Sequence, residues 1–145
     1  MADYLWPYPV AFYYKVQIEN LGILSFSEVS GLNMSITTEH LDEGGTQGYD
    51  VPTKVSHGNL ICKRVISTDL NDQLTEWMNQ HFERYGKVLP KKITVSLLNS
   101  DGEPHCSWIL TDAYPIKWNV NSFSSQKNEL AMETMEFAYH EIRRV

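Results

Sequence analysis

Two cysteines, Cys62 and Cys106, are all the chain has, and they stand far apart without CxxC spacing. That argues against a disulfide framework or a thiolate metal cluster; each reads as a small hydrophobe inside a strand-like segment. No apolar run approaches the ~20 residues a helix needs to span a bilayer, so no membrane insertion is expected. Met1-Ala2-Asp3-Tyr4 has neither the basic nor the apolar part of a signal peptide, so synthesis and folding in the cytoplasm are expected. No basic run exceeds Lys91-Lys92 or Arg143-Arg144, and the net charge is −6. A free-standing duplex binder needs a basic face, which is missing.

Catalytic kits are missing too. His40, His57, His81, His105 and His140 show no HxxxH or HExxH spacing and read as surface or interface histidines. His57 and Cys62 lie about 16 Å apart along an extended chain, too far to act as base and thiol. Glu43-Gly44-Gly45 lacks GxGxxG, a Walker lysine and a following helix, so it is no phosphate cradle. There are no paired carboxylates framing a cleft and no nucleophile–base pair. No catalytic residue, cofactor or metal is expected.

What is present points to assembly. A chain of 145 residues suits a single domain over 1–145 with a core of its own. Its eight tyrosines suit half-buried strand faces and subunit contacts, because the ring is apolar and the tip polar. Residues 1–10, with Tyr4, Trp6 and two prolines, should be an extended aromatic segment. Phe12, Tyr14, Val16 and Ile18 then alternate with Tyr13, Lys15, Gln17 and Glu19, a half-buried strand. Asn20-Leu21-Gly22 turns the chain into a second strand over 23–29. Ser30-Gly31 reads as a tight hairpin turn into a third, in which Met34, Ile36 and Thr38 alternate with Asn33, Ser35 and Thr37.

From His40 to Gly58 the alternation stops amid four glycines and Pro52, which predicts a long polar loop at the tip of an extended hairpin. A strand over 60–66 follows. A helix is expected from Thr68 or Asp69, with Leu70, Leu74, Trp77, Met78, Phe82 and Tyr85 on one stripe covering a sheet, and Gly86 as its C-terminal stop. Strands over 93–98 and 105–111 flank an Asn99-Ser100-Asp101-Gly102 turn, and Ala113–Trp118 stays extended. For Leu130–Tyr139, helix propensity outweighs an alternation that Glu133 interrupts. The fold class is α+β and mostly β: about seven largely antiparallel strands and one amphipathic helix.

In order and spacing, Phe26-Ser27-Glu28-Val29-Ser30-Gly31-Leu32, Glu43-Gly44-Gly45, Gly58-Asn59-Leu60 and Lys63-Arg64 resemble the tail-tube family of contractile phages and extracellular contractile injection systems. So do Trp77, Trp108, Asp112–Trp118 and the ending Glu129–Tyr139. The likeness runs from about Pro9 to His140. It implies an antiparallel β-sandwich or barrel-like tail-tube fold with one flanking helix, and it makes Leu130–Tyr139 a strand, against the propensity. It further implies six-membered rings stacked into a hollow tube within a sheath, made in a bacterial cytoplasm and carried in a virion tail or contractile particle.

The implied partners are copies of the chain itself, a sheath protein, baseplate or spike-hub proteins, and luminal protein cargo or phage DNA. Candidate ring contacts are Glu28, Ser30, Gly31, Leu41, Glu43, Gly44, Gly45 and Tyr49, with Tyr4 and Trp6 from the first segment. The 40–58 loop is the candidate contact between rings. Glu28 is open to two readings, a subunit contact or a cap on its own turn. Gly31→Val is expected to spoil ring stacking before it unfolds the domain. Two alternatives stand beside the tube wall: a tube-initiating ring at the spike hub, and a monomeric module binding through the 40–58 loop.

Overall fold

The computed structural model describes residues 13–45, 47–83 and 87–145. Tyr4, Trp6, Phe12, Tyr85, Gly86 and the 1–10 segment lie outside the described residues. The elements are β1 (Tyr14–Ile18), β2 (Gly22–Leu24), β3 (Glu28–Ser30), β4 (Met34–Leu41), β5 (Tyr49–His57), β6 (Leu60–Val65), α1 (Gln73–Phe82), β7 (Lys91–Leu98), β8 (Pro104–Val120), β9 (Met132–Ala138) and β10 (Glu141–Arg144).

β8 organises the fold. Its first half pairs with β7 on one side and β10 on the other, and its second half, from Tyr114, pairs with β9. Between the halves the register against β7 shifts, and Asp112 takes φ 52°, a left-handed conformation that a short acidic side chain tolerates. Such a bulge bends the strand and re-aims its second half. One strand therefore serves two layers: β2-β1-β7-β8-β10, and β8-β9-β6-β3. All pairings are antiparallel and the layers do not close into a barrel.

The alternation read in β1 holds where it is described, with Val16 and Ile18 almost fully buried. They meet Ile93 and Val95 of β7, Leu110 and Ala113 of β8, Leu60 and Cys62 of β6, and Met135 and Phe137 of β9 in one apolar cluster. α1 closes it with Leu74, Trp77 and Met78. The Trp77 ring stacks on Phe137 at 5.7 Å, and its indole N–H donates to the Leu89 carbonyl at 2.8 Å. β9 is a strand, as the resemblance implied and propensity did not. Burial of alternate residues decides it, because Glu133, Met135 and Phe137 all face inward.

Four expectations need correction. The segment 23–29 is not one strand: β2 pairs with β1 while β3 pairs with β6 in the other layer. The chain crosses between layers at Phe26, whose carbonyl accepts the Tyr14 hydroxyl at 2.5 Å. Ser30-Gly31 is therefore not a hairpin turn, since β3 and β4 belong to different sheets. It is the exit from a sheet edge. Third, α1 begins at Gln73 and not at Thr68 or Asp69. Asp69 spends its carboxylate on the Asn71 amide at 2.9 Å, holding a turn that leaves Leu70 fully exposed.

Fourth, 40–58 is mostly strand. β4 and β5 pair from Met34–His57 to Leu41–Tyr49, so the connection is only 42–48. Pro52 sits opposite Thr38 beside a register shift at Thr37/Thr38, the kind of irregularity at which strands tolerate proline.

Candidate assembly surfaces

The expected contact residues separate into two surfaces. Glu28 and Ser30 lie on β3, with Gly31 directly after it. Leu41, Glu43, Gly44, Gly45 and Tyr49 gather at the tip of the β4–β5 hairpin. There the Tyr49 hydroxyl donates to the Glu43 carboxylate at 3.2 Å.

The first surface is the layer β8-β9-β6-β3. Neighbouring strands run antiparallel, so its two outermost strands point in opposite directions. Among the described residues, β3 pairs only with β6, and Tyr114–Val120 of β8 pairs only with β9. Among these residues both edges are open. The face turned away from the core carries two rows read across the register: Lys117, Glu136, Ile61 and Ser30, then Asn119, Thr134, Lys63 and Glu28. Glu28 pairs with Lys63 at 3.3 Å, and Asn59 donates to Glu136 at 2.8 Å. Two lysines thus face two glutamates across a bare, polar sheet. Lys117 and Asn119 were not singled out from sequence, because an open edge opposite β3 appears only once the pairing order is known.

The second surface is the hairpin. Every residue of β4 is exposed, and no strand beyond β5 pairs with it among the described residues. An isolated two-stranded ribbon is at best marginally stable in water. Yet Met34, Ile36 and Val55 are 54%, 59% and 68% exposed, which is a poor use of large apolar side chains unless something covers them. Strand alternation puts these three on one face near the base, and Leu41, Tyr49 and Val51 on the opposite face near the tip. The hairpin is apolar on two sides. Sequence signals mark only its tip, because Met34 and Ile36 alternate as core residues would.

On the core side of the first surface lies a buried ionic knot. Arg64 of β6 donates to Glu133 of β9 through Nε at 2.6 Å and to Asp72 at the start of α1 through a terminal nitrogen at 2.5 Å. Thr75 adds its hydroxyl to Asp72 at 2.6 Å. Burial pulls the Arg64 guanidinium downward in pKa, but its bonds to Asp72 and Glu133 outweigh that and hold it above the ordinary value. Cys62 has no charged helper: burial pushes its thiol up to about 12. A thiol held protonated and covered is inert. At about pH 8, a thiol reagent should therefore label the half-buried Cys106 first, with Cys62 reacting only on unfolding; rapid labelling of both would show that the core opens.

No group of three or more metal-ligating side chains occurs among the described residues. No helix is long and apolar enough to cross a membrane. Among the described residues the chain leaves two oppositely directed sheet edges unpaired and one hairpin uncovered. The sequence model described as "T4-like virus tail tube protein gp19" matches residues 10–143, and the chain belongs to that family of structural tail-tube proteins.

Solved structures agree on the fold. The chain is similar to a protein in the sheath–tube complex of the extracellular contractile injection system PVC, with TM-score 0.86, 22% identity, and coverage of 100% of this chain and 97% of that one. It is similar to a chain of the anti-feeding prophage baseplate, with TM-score 0.84, 22% identity and 94% of each chain covered. A more distant likeness is Hcp1 from Salmonella typhimurium, with TM-score 0.55, 14% identity, and coverage of 91% and 85%. No curated protein sequence matches.

Proposed function

We propose that the chain is the wall subunit of the inner tube in a contractile injection particle, closing into six-membered rings through the two open edges of the β8-β9-β6-β3 layer. The observation that carries this is direction. An even number of alternating strands leaves β3 and β8 antiparallel to one another, so the β3 edge of one copy continues into the β8 edge of the next as a regular antiparallel sheet. A head-to-tail contact with closing rotation ends in a ring and removes the exposed edges that otherwise invite aggregation.

The first layer and α1 lie on the core side of this sheet, so bulk fits only outside the barrel. The bare face with Lys117, Glu136, Lys63 and Glu28 lines the lumen, and its balanced charges give a passing cargo or nucleic acid no strong purchase. A sheath protein would meet the outer side and baseplate or spike-hub proteins the tube's end.

Rings stack through the hairpin. Its base face, with Met34, Ile36 and Val55, and its tip face, with Leu41, Tyr49 and Val51, meet different copies of the chain. The tip residues Glu43, Gly44 and Gly45 belong to this contact, Glu28 and Ser30 to the edge.

Two variant sets test the reading. Ile36→Asp with Val55→Asp should leave the circular-dichroism melt within about 1 kcal/mol of native, since both residues are exposed. The same variant should abolish tubes in negative-stain micrographs while single rings remain. Glu28→Lys and Lys117→Glu should each reduce ring formation several-fold in sedimentation, and the pair together should restore part of it. Tubes from the hairpin variant would remove the arm from stacking.

A further inference from the structure

The described histidines differ in what their ring nitrogens face. His81 donates from Nδ1 to the Trp77 carbonyl at 2.9 Å and accepts the Leu89 amide at Nε2 at 2.9 Å. One donor and one acceptor suit a neutral imidazole. His57, the last residue of β5, is different. Its Nδ1 lies 2.9 Å from the Gly58 carbonyl oxygen and its Nε2 lies 3.1 Å from that of His140. Carbonyl oxygens only accept, so a neutral ring fills one contact and turns a lone pair towards the other. An imidazolium donates to both. The ring also stacks on Tyr139 with centroids 4.1 Å apart and planes 10° from parallel, and an aromatic face favours a cation.

His40 repeats the pattern at the other end of the hairpin. Its Nδ1 is 2.8 Å from the Asp50 carboxylate across the ladder, and its Nε2 is 3.0 Å from that of Asp42 in the tip turn. Two carboxylates accept, and only the doubly protonated ring donates to both.

We propose that protonation of His57 and His40 locks the β4–β5 hairpin in its working shape and orientation, so that acid favours ring stacking and alkali loosens it. This rests on the reading of the hairpin as the inter-ring arm. His57 ties the arm's base to the corner between β9 and β10, and His40 ties the two strands to the turn at its tip.

Other charges nearby leave the direction intact. Around His57, β4 contributes the neutral Met34, and β5 contributes Lys54. The corner contributes Tyr139, kept neutral by burial that raises its phenol, and the exposed His140; β10 contributes Glu141 and Arg143. Lys54 and Arg143 oppose the imidazolium, whereas Glu141, the ring face and two carbonyls favour it. At the tip, Asp42 and Asp50 both favour it. The doubly donating geometry at both rings is the one that protonated imidazoles satisfy, and histidines as a class change charge between about pH 5 and 8.

Two measurements decide the matter. Sedimentation gives the lowest concentration that forms tubes at about pH 5.5 and about pH 8. The native chain should need about tenfold less protein at the lower pH, as expected for a charge-assisted bond gained. His57→Phe keeps the stack on Tyr139 but has no donors and should lose most of that difference; adding His40→Gln should remove the rest. Independently, backbone and imidazole nitrogen NMR on the dilute, unassembled chain should show hairpin amides ordering on acidification as both His57 nitrogens become protonated. An assembly threshold that ignores pH, or full pH dependence in His57→Phe, overturns the proposal. Should no tubes form at any pH, the stacking reading falls, and hairpin ordering that ignores pH in the dilute chain would overturn the lock as well.

Discussion

Gly31→Ala should destabilise the domain itself by roughly 3 kcal/mol or more, a cost typical of strained backbone combined with a steric clash. Gly31 has φ 97°, where side chains are strained, and a Cβ placed on it would stand 1.9 Å from the Asn59 carbonyl oxygen. That oxygen belongs to backbone at the start of β6, so relief requires β3 to pull away from its partner strand. The expectation from sequence, that stacking fails while the domain stays folded, is thereby revised: the edge and the fold share this glycine. Gly45→Ala is the control. Its φ of 82° is also positive, but nothing stands within 4 Å of the added atom, so only strain of about 1 kcal/mol is expected. Urea denaturation of the two variants should separate them clearly. Equal, small losses would mean that the β3–β6 seam is soft.

Removing the cation of the buried knot should be the other large effect. Arg64→Met leaves Asp72 and Glu133 without their shared partner, and Glu133 is only 4% exposed. Stripping one member from such a pair typically costs about 3–5 kcal/mol, whereas Arg64→Met with Glu133→Leu should recover much of the loss. The pH profile carries the signature. Burial acts to raise the Asp72 carboxyl, but the Arg64 and Thr75 hydrogen bonds outweigh it and leave the group below its ordinary value. A carboxyl lowered by folding adds stability that is complete above the unfolded value, about 3.9, and is lost as pH falls through the folded one. The native chain should accordingly weaken below about pH 4. Arg64→Met should do the opposite on mild acidification, gaining stability as its unpaired carboxylates take up protons. Parallel profiles for the two proteins would show that the knot contributes nothing.

The same knot explains why part of the fold was hidden in the sequence. In β9 the alternation of Met135 and Phe137 is genuine, yet Glu133 on the same face looks like an interruption. Its partner is Arg64, in a strand far away along the chain, so no local pattern can excuse the charge. β1 and the Leu74–Trp77–Met78 stripe were legible because each buries one face, and a buried face leaves a period. β5 was not, because a ribbon exposed on both faces imposes no period. The start of α1 was misplaced because Asp69 caps a preceding turn, while Asp72, the residue before the helix, turns its carboxylate to Arg64 and Thr75.

The candidate assembly surfaces were legible in halves. Glycines and turn acids flagged the tip of the hairpin and the β3 edge, since these residue types mark places where the backbone must bend. The complementary β8 edge carries no such mark. Lys117 and Asn119 sit in an ordinary extended stretch, and only the strand order shows that their edge is open and antiparallel to β3. The family resemblance supplied the tube; the junction proposed for its wall rests on the strand order.

An electron cryomicroscopy map of the assembled tube tests that junction most directly. Six copies per ring should form one continuous antiparallel barrel, with β3 of each subunit hydrogen-bonded to the Tyr114–Val120 half of β8 in its neighbour and with Lys63, Lys117 and Glu136 lining the channel. A ring whose subunits meet through other strands, or whose β3 edge lies free against solvent, would contradict the account.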